Sequence, residues 1–343
     1  MKNLFATLLL IASAYLTSGQ VIYSDSREDY LMAMQRNKNF RAHIAAGNIA
    51  SVQTFGYKRT NATGYLMYES RYDKRGNNTD WIMYNNGKVK MRNTTDYDDS
   101  NRVTEYASYN RTGKLKGMGK NTYDKAGNLI EQDVYKKNPQ TINSKTARTY
   151  DSKNNITESK TFDKKGNLKN RIEYTYYDDG SKKQTMQYSG SGKLIRIWNF
   201  DCNPVGTIEA KKFKDTSKVC IHYETDKNGN PIKVKEEYTG AGMFGRTIRT
   251  VSKYDKNNNQ IDAATYALNG KELSHWSGIY NASGKVTEYI TYKSGTQKIL
   301  YRSTYEYNSD GNITEGVAYK NSQKPLSKWK YVYSSSLSPS PAK

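Results

Sequence analysis

The sequence predicts an all-β fold: an elongated antiparallel β-hairpin repeat, forming a twisted sheet or β-solenoid, with a short N-terminal helix ahead of it. Three observations predict it: a turn motif that recurs along the chain, the constant spacing of that motif, and the composition of the stretches between. The motif is an aromatic residue, usually Asp or Asn after it, two variable residues, Gly or Asn, and a short strand-like run. It reads YDKAGNLIE at 123–131, YDSKNNITE at 150–158, FDKKGNLKN at 162–170, YNASGKVTE at 280–288 and YNSDGNITE at 307–315. The fifth position is Gly76, Gly113, Gly127, Gly166, Gly284 or Gly311, and elsewhere Asn101, Asn154 or Asn258. Gly and Asn are the residues that best tolerate positive φ, so this position is a left-handed turn residue. An Asp or Asn three places earlier can bond the backbone two residues on, which completes a type I turn closed by a bulge between antiparallel strands.

Spacing converts the motif into an architecture. Turns opening at Tyr97, Tyr123, Tyr150 and Tyr177 lie 26 or 27 residues apart, as do those at Tyr254, Tyr280 and Tyr307. A second series sits halfway between, at Tyr109, Tyr135, Phe162 and Tyr188 and at Tyr266, Tyr292 and Tyr319, with Gly-Lys common after the turn. Each period of about 26 residues therefore holds two strands and two turns, which fits strands of roughly 7 to 9 residues and leaves no room for a helical repeat. Intervening stretches such as NRIEYTYY at 170–177 are rich in Tyr, Thr and Ile, residues that favour a pleated surface.

In chain order, residues 1–19 read as a secretory signal peptide: Lys2, the apolar run from Leu4 to Leu16, then Thr17, Ser18 and Gly19 before Gln20. The expectation is an exported protein, secreted, periplasmic or on the outer surface. Residues 20–50 form a helical lead-in, capped by Ser26 with Asp29 and ended at Gly47. Residues 51–333 are the repeat domain, and 334–343 a disordered Ser- and Pro-rich tail. A low content of large aliphatic residues with a net charge of +21 is the composition of many disordered chains. Thirty-one Tyr placed at regular intervals argue instead for a repeat array in which each unit is stabilised by its neighbours. Cys202 and Cys220 are the only cysteines, and they sit where the repeat is least regular. A disulfide between them would contribute roughly 3 kcal/mol; free thiols are the alternative.

The units resemble YD (RHS-type) repeats, whose pattern is Tyr-Asp, two residues, Gly, Arg or Asn, and an aliphatic residue. The resemblance covers about residues 70–333 and is closest at 123–131 and 307–315. It also extends to Tyr-rich repeats of uncharacterised secreted Gram-negative bacterial proteins. What the family implies is β-hairpin strips that bind, wrap or encapsulate. In its large members the strip coils around a C-terminal toxin; this sequence shows neither such a segment nor a self-cleaving region, so toxin delivery is not expected of it.

The motifs of catalysis are not what this sequence displays. His43, His222 and His275 are scattered outside any zinc spacing, and the turn acids Asp98, Asp124, Asp151, Asp163, Asp178 and Asp255 are explained by turn capping. A carbohydrate-active enzyme would need two facing carboxylates, for which Glu236, Glu237 and Glu272 are the candidates off the turn positions. No catalytic, cofactor-binding or metal-binding residue is therefore expected. Charge and aromatics carry the functional expectation: Lys182, Lys183, Lys211, Lys212, Lys214, Lys233 and Lys235 represent a basic excess spread through the repeats. A basic, Tyr-studded sheet suits an anionic polysaccharide, lipopolysaccharide or another extracellular polyanion, Lys supplying charge and Tyr stacking. The alternatives are a scaffold of structural or immunity type docking a specific protein partner, and a purely structural role for both residue types, with Tyr ladders holding the sheet and Lys blocking aggregation.

Overall fold

The computed structural model describes residues 38–57, 64–178, 180, 182–199, 216–228, 231–239, 248–267, 269–321 and 324–335. The expected signal peptide, the Ser26 and Asp29 cap and all of the tail beyond residue 335 lie outside the described residues. Among the described residues helix is confined to 38–46, and strands make up most of the rest. The helix ends with Ile49 N–H donating to the Ile44 carbonyl and Asn48 N–H to that of Ala45, both at 3.0 Å. These are the two bonds of a Schellman ending. Its left-handed residue is Asn48, φ 48°, and Gly47, the helix end expected from the sequence, is the first residue past the helix. The reason lies in Ile44 and Ile49, both buried, which the longer bond joins. Gly47 is small for a different purpose, since a Cβ there would sit 3.2 Å from Ile49.

The strands fall into two compact units, the first built from residues up to Phe55, Tyr65–Lys169 and from Tyr331 onward, the second from Gly56–Gly64 and Asn170–Lys330. The first holds β1 (Ser51–Tyr57, up to Phe55), β2 (Tyr65–Tyr72), β3 (Asn78–Asn85), β4 (Lys88–Tyr97), β5 (Val103–Asn110), β6 (Leu115–Tyr123), β7 (Leu129–Lys136), β8 (Ile142–Tyr150) and β9 (Ile156–Asp163). From β2 to β9 each strand pairs antiparallel with the next. At Tyr72, Tyr97, Tyr109, Tyr123, Tyr135 and Tyr150 the register slips by one residue: Thr122 faces Glu131, but Tyr123 faces Leu129. That slip is the bulge demanded by a type I turn followed by a left-handed residue. The connection from β3 to β4 is tighter, with Asn86 (φ 50°) and Gly87 (φ 74°) both left-handed, the pair a two-residue type I′ hairpin requires.

The core of this unit is thin. Ala107, Met118 and Tyr135 form its buried cluster, with Tyr109, Leu115 and Ile142 packed against it. The helix rests on the β2–β3 turn, Phe40 meeting Tyr72 edge-on at 6.1 Å and the Arg41 carbonyl closing on Gly76, where no Cβ could be placed. Ala50 donates to the Ser334 carbonyl (2.8 Å) and accepts from Tyr72 N–H (2.9 Å), which ties the two ends of the described chain into the same unit.

The second unit holds β10 (Leu168–Tyr176, from Asn170), β11 (Lys182–Ser189), β12 (Leu194–Asn199), β13 (Thr216–Thr225), β14 (Pro231–Thr239), β15 (Ile248–Tyr254), β16 (Gln260–Ala267), β17 (Glu272–Tyr280), β18 (Val286–Tyr292), β19 (Ile299–Tyr307), β20 (Ile313–Lys320) and most of β21 (Lys324–Ser334). One step departs from the expected antiparallel repeat. Strands β12 and β13 pair in parallel, Ile197 with Thr216 and Asn199 with Lys218. Parallel neighbours need a connection far longer than a hairpin, and residues 200–215 separate these two strands in the sequence. Within strands, aromatic rings lie over glycines: Tyr106 covers Gly119, and Trp329 covers Gly316, each directly across the ladder. A side chain on either glycine would collide with the ring, so aromatic and glycine act as one packed pair.

Candidate functional site

The nine positions marked in the sequence as left-handed all carry positive φ, from 60° at Asn101 to 92° at Gly127. Around them the Asp-headed turns share one hydrogen-bond scheme. At 124–128, Gly127 N–H donates to the Asp124 carbonyl (3.1 Å), and Asp124 Oδ1 accepts Asn128 N–H (2.8 Å) while Oδ2 accepts Asn128 Nδ2 (2.9 Å). Asp151 with Asn155 and Asp255 with Asn259 repeat it. The Asn side-chain bond, with the backbone bond beside it, holds the carboxyls of Asp124, Asp151 and Asp255 below the ordinary aspartate range. These acids are occupied as turn caps.

The motif tyrosine has a second task. Tyr123 Oη donates to the Val103 carbonyl at 2.9 Å, Tyr150 to Leu129 at 2.8 Å, Tyr280 to Gln260 at 2.8 Å and Tyr307 to Val286 at 2.7 Å. Each acceptor begins the return strand of the preceding hairpin, so the phenol latches one repeat to the one before. Turns on this edge are also bonded to each other, Asn77 Nδ2 to Asn101 Oδ1 at 2.7 Å and Asn128 Nδ2 to Asn154 Oδ1 at 2.9 Å.

Cations on the strands are largely engaged. The glutamate that ends four of the five quoted motif strings is their partner: Glu131 bonds Lys145 at 2.9 Å, Glu288 takes Arg302 through two bonds at 2.8 and 2.7 Å, and Glu315 meets Lys328 at 2.5 Å. The same guanidinium lies over a second-series ring, Arg302 over Tyr319 at 5.3 Å; Arg171 over Tyr188 (4.4 Å) and Arg249 over Tyr266 (5.4 Å) occupy equivalent places. The pairs are directly opposed across the ladder. His275 stands in this row too, bonded to Asp262 at 2.9 Å and tilted on Tyr292 at 4.6 Å. Acid, cation and ring thus form a repeated triad on the sheet. Sequence reasoning missed it, although the terminal glutamate of the motif was its signal.

Of the lysines singled out as polyanion contacts, Lys182 lies over Tyr174 at 5.9 Å and Lys183 over Tyr177 at 5.6 Å. Lys233 and Lys235 occupy β14, opposite Glu224 and His222. Lys211, Lys212 and Lys214 lie outside the described residues, as does Cys202; Cys220 occupies β13 opposite Glu237. Glu272 lines a shallow hollow with Tyr266, Lys271 and Ser294, and its carboxylate accepts Gly295 N–H at 2.9 Å. No second carboxylate lines that hollow among the described residues.

Among the described residues the most buried charges are ones the sequence did not advertise. Arg71 Nε bonds Glu69 Oε1 at 2.6 Å, and Tyr84 Oη donates to Glu69 Oε2 at 3.1 Å. Burial and the neighbouring carboxylate push the Tyr84 phenol up to about 12. Breaking such a pair leaves an uncompensated buried charge, so the cluster serves the packing of β2 on β3.

A family model described as "Uncharacterised protein" matches residues 35–237. No curated protein matches the chain. Among solved structures, a Tc holotoxin pore from Photorhabdus luminescens is similar at 10% identity and a TM-score of 0.35, with 77% of this chain and 17% of that chain covered. The TcdB2-TccC3 structure without its hypervariable C-terminal region is similar at 12% identity and a TM-score of 0.35, with 80% of this chain and 18% of that one covered. A porin-like protein from Bacteroides uniformis is similar at 11% identity and a TM-score of 0.28, with 83% and 98% covered. The chain spans less than a fifth of the length of the two toxin structures. Among the described residues no helix is long and apolar enough to cross a membrane.

Proposed function

We propose a binding role for this chain, which belongs to the family whose model spans residues 35–237: an exported, YD-type β-hairpin repeat that holds an extended anionic or carbohydrate polymer. One observation carries this reading. The strands match their cations with motif glutamates, yet the chain as a whole retains a net charge of +21, so the excess rests on side chains that the fold does not neutralise. Uncompensated charge distributed over a repeat favours a ligand that is itself long and repetitive, because many weak ionic contacts add up along it.

The test is a salt titration of binding to acidic polysaccharide, lipopolysaccharide and single-stranded DNA. Distributed ionic contacts predict a steep, log-log linear loss of affinity between about 50 and 200 mM salt. Absence of association with all three at about 50 mM salt would reduce the charge to a solubility device and end this reading.

A further inference from the structure

In the unit containing β2 to β9, the meander sends alternate turns to opposite edges of the sheet. The edge of the Tyr-Asp turns, 73–77, 98–102, 124–128 and 151–155, carries an acid in every turn, and its arginines are bound to those acids: Arg75 to Asp73 at 3.5 Å and Arg102 to Asp98 at 2.6 Å. The opposite edge is different in kind. Its turns follow β3, β5, β7 and β9, and they hold Arg111, Lys114, Lys136, Lys137, Lys164 and Lys165, all exposed and none with a side-chain partner among the described residues. The single acid in these turns is Asp163, whose oxygens already accept Lys165 N–H, Asn167 N–H and Asn167 Nδ2.

We propose that this alternate-turn edge is the surface that takes the polymer, and that the polymer is an acidic polysaccharide lying across the strand ends. The inference rests on the binding role above and assigns it a site and a ligand class. Successive turns on one edge are separated by two strands, about 9 to 10 Å. That step is of the order of one disaccharide, so a glycan with one charged group per disaccharide presents an anion to each basic turn in succession. Nucleic acid fits the edge less well. Its phosphates are more closely spaced, and loops 86–87, 111–114, 137–141 and 164–167 contain no aromatic on which a base could stack.

Two triple variants of the full chain test this: Lys114→Gln, Lys137→Gln and Lys164→Gln on the proposed edge, and Lys74→Gln, Lys125→Gln and Lys153→Gln on the opposite one. The probe is fluorescent hyaluronate, with a single-stranded DNA oligonucleotide and lipopolysaccharide vesicles as parallel arms. At about 50 mM salt the first triple is expected to bind hyaluronate roughly tenfold or more weakly, with a salt slope shallower by about 2 to 3, and the second to stay within about twofold. Equal losses in both triples overturn the edge assignment while the binding role stands. A chain that binds DNA or vesicles and ignores hyaluronate overturns the polysaccharide. A chain that binds none of the three fails at the role itself, whatever the variants do.

Discussion

The two turn edges use nearly the same local motif and do opposite things with it. In the Tyr-Asp and Tyr-Asn turns the left-handed glycines have neighbours: Gly76 is closed in by the Arg41 backbone, Gly311 lies against the end of the Lys285 side chain, and Gly127 and Gly284 are in ordinary contact with Arg102 and Asn259. In the alternate turns of each unit, Gly87, Gly113 and Gly166 in the first and Gly192, Gly270 and Gly295 in the second, nothing lies within 4 Å of a would-be Cβ. The side chain after the left-handed residue makes the difference. In a Tyr-Asp turn it is Asn, Arg or Lys reaching sideways to the next turn, as Lys285 Nζ reaches the Gly311 carbonyl. In the alternate turns of the first unit the corresponding bonds stay inside the turn, Asn110 Oδ1 accepting Thr112 and Lys114 N–H at 3.0 Å. One edge braces the repeat, and the other is left free to meet something else.

The comparison breaks most readily at glycine. Replacing Gly76 with Ala adds a clash with Arg41 backbone to left-handed strain, an expected loss of about 3 kcal/mol or more. Replacing Gly113 meets the strain alone, about 1 to 2 kcal/mol. Urea unfolding of the two variants measures the gap, and equal losses would remove the distinction between braced and open turns.

A smaller effect sharpens it. Tyr150→Phe deletes the 2.8 Å bond to the Leu129 carbonyl and should cost about 1 kcal/mol. Phe162 holds the aromatic place of a second-series turn, and Phe162→Tyr should change stability by only a few tenths of a kcal/mol, as ordinary surface substitutions do. A Tyr150→Phe variant as stable as the parent would deny the latch.

The smallest effect is electrostatic. Asp124, Asp151 and Asp255 titrate lower when folded than when unfolded, so on acidification the unfolded chain takes up protons first. Their stabilisation is complete above the unfolded aspartate pKa of about 4 and is lost as pH falls through the lower folded values. Melting temperature followed from neutral pH to about pH 2 should therefore decline below about pH 4, and Asp151→Asn should make that decline shallower. Lys164→Gln, on the open edge, should leave the slope as it was. A decline unchanged by Asp151→Asn would separate the turn caps from acid stability.

Much of this molecule was legible because its turns are local. A residue at Gly127 or Asn154 meets the cost of positive φ from its own covalent structure, and the Asp three places earlier bonds backbone within the same five residues. The spacing of such turns then dictates strand length, and the Tyr-, Thr- and Ile-rich stretches dictate that they are strands. The helix stops just before Gly47, and the left-handed residue beyond it is Asn48, a choice that belongs to the burial of Ile44 and Ile49.

The sequence by itself determined the period, the turns and the all-β class, because each depends on interactions within a few residues. Only the tertiary structure decided which charges are free. Whether Lys145 is a docking residue or the partner of Glu131 depends on a cross-strand register that joins positions 14 apart. That β12 and β13 run parallel is a pairing across residues 200–215, beyond the reach of any local turn motif. The gathering of Arg111, Lys114, Lys137 and Lys164 along one edge follows from the alternation of the meander, which places every second turn together and is invisible in a linear count of lysines.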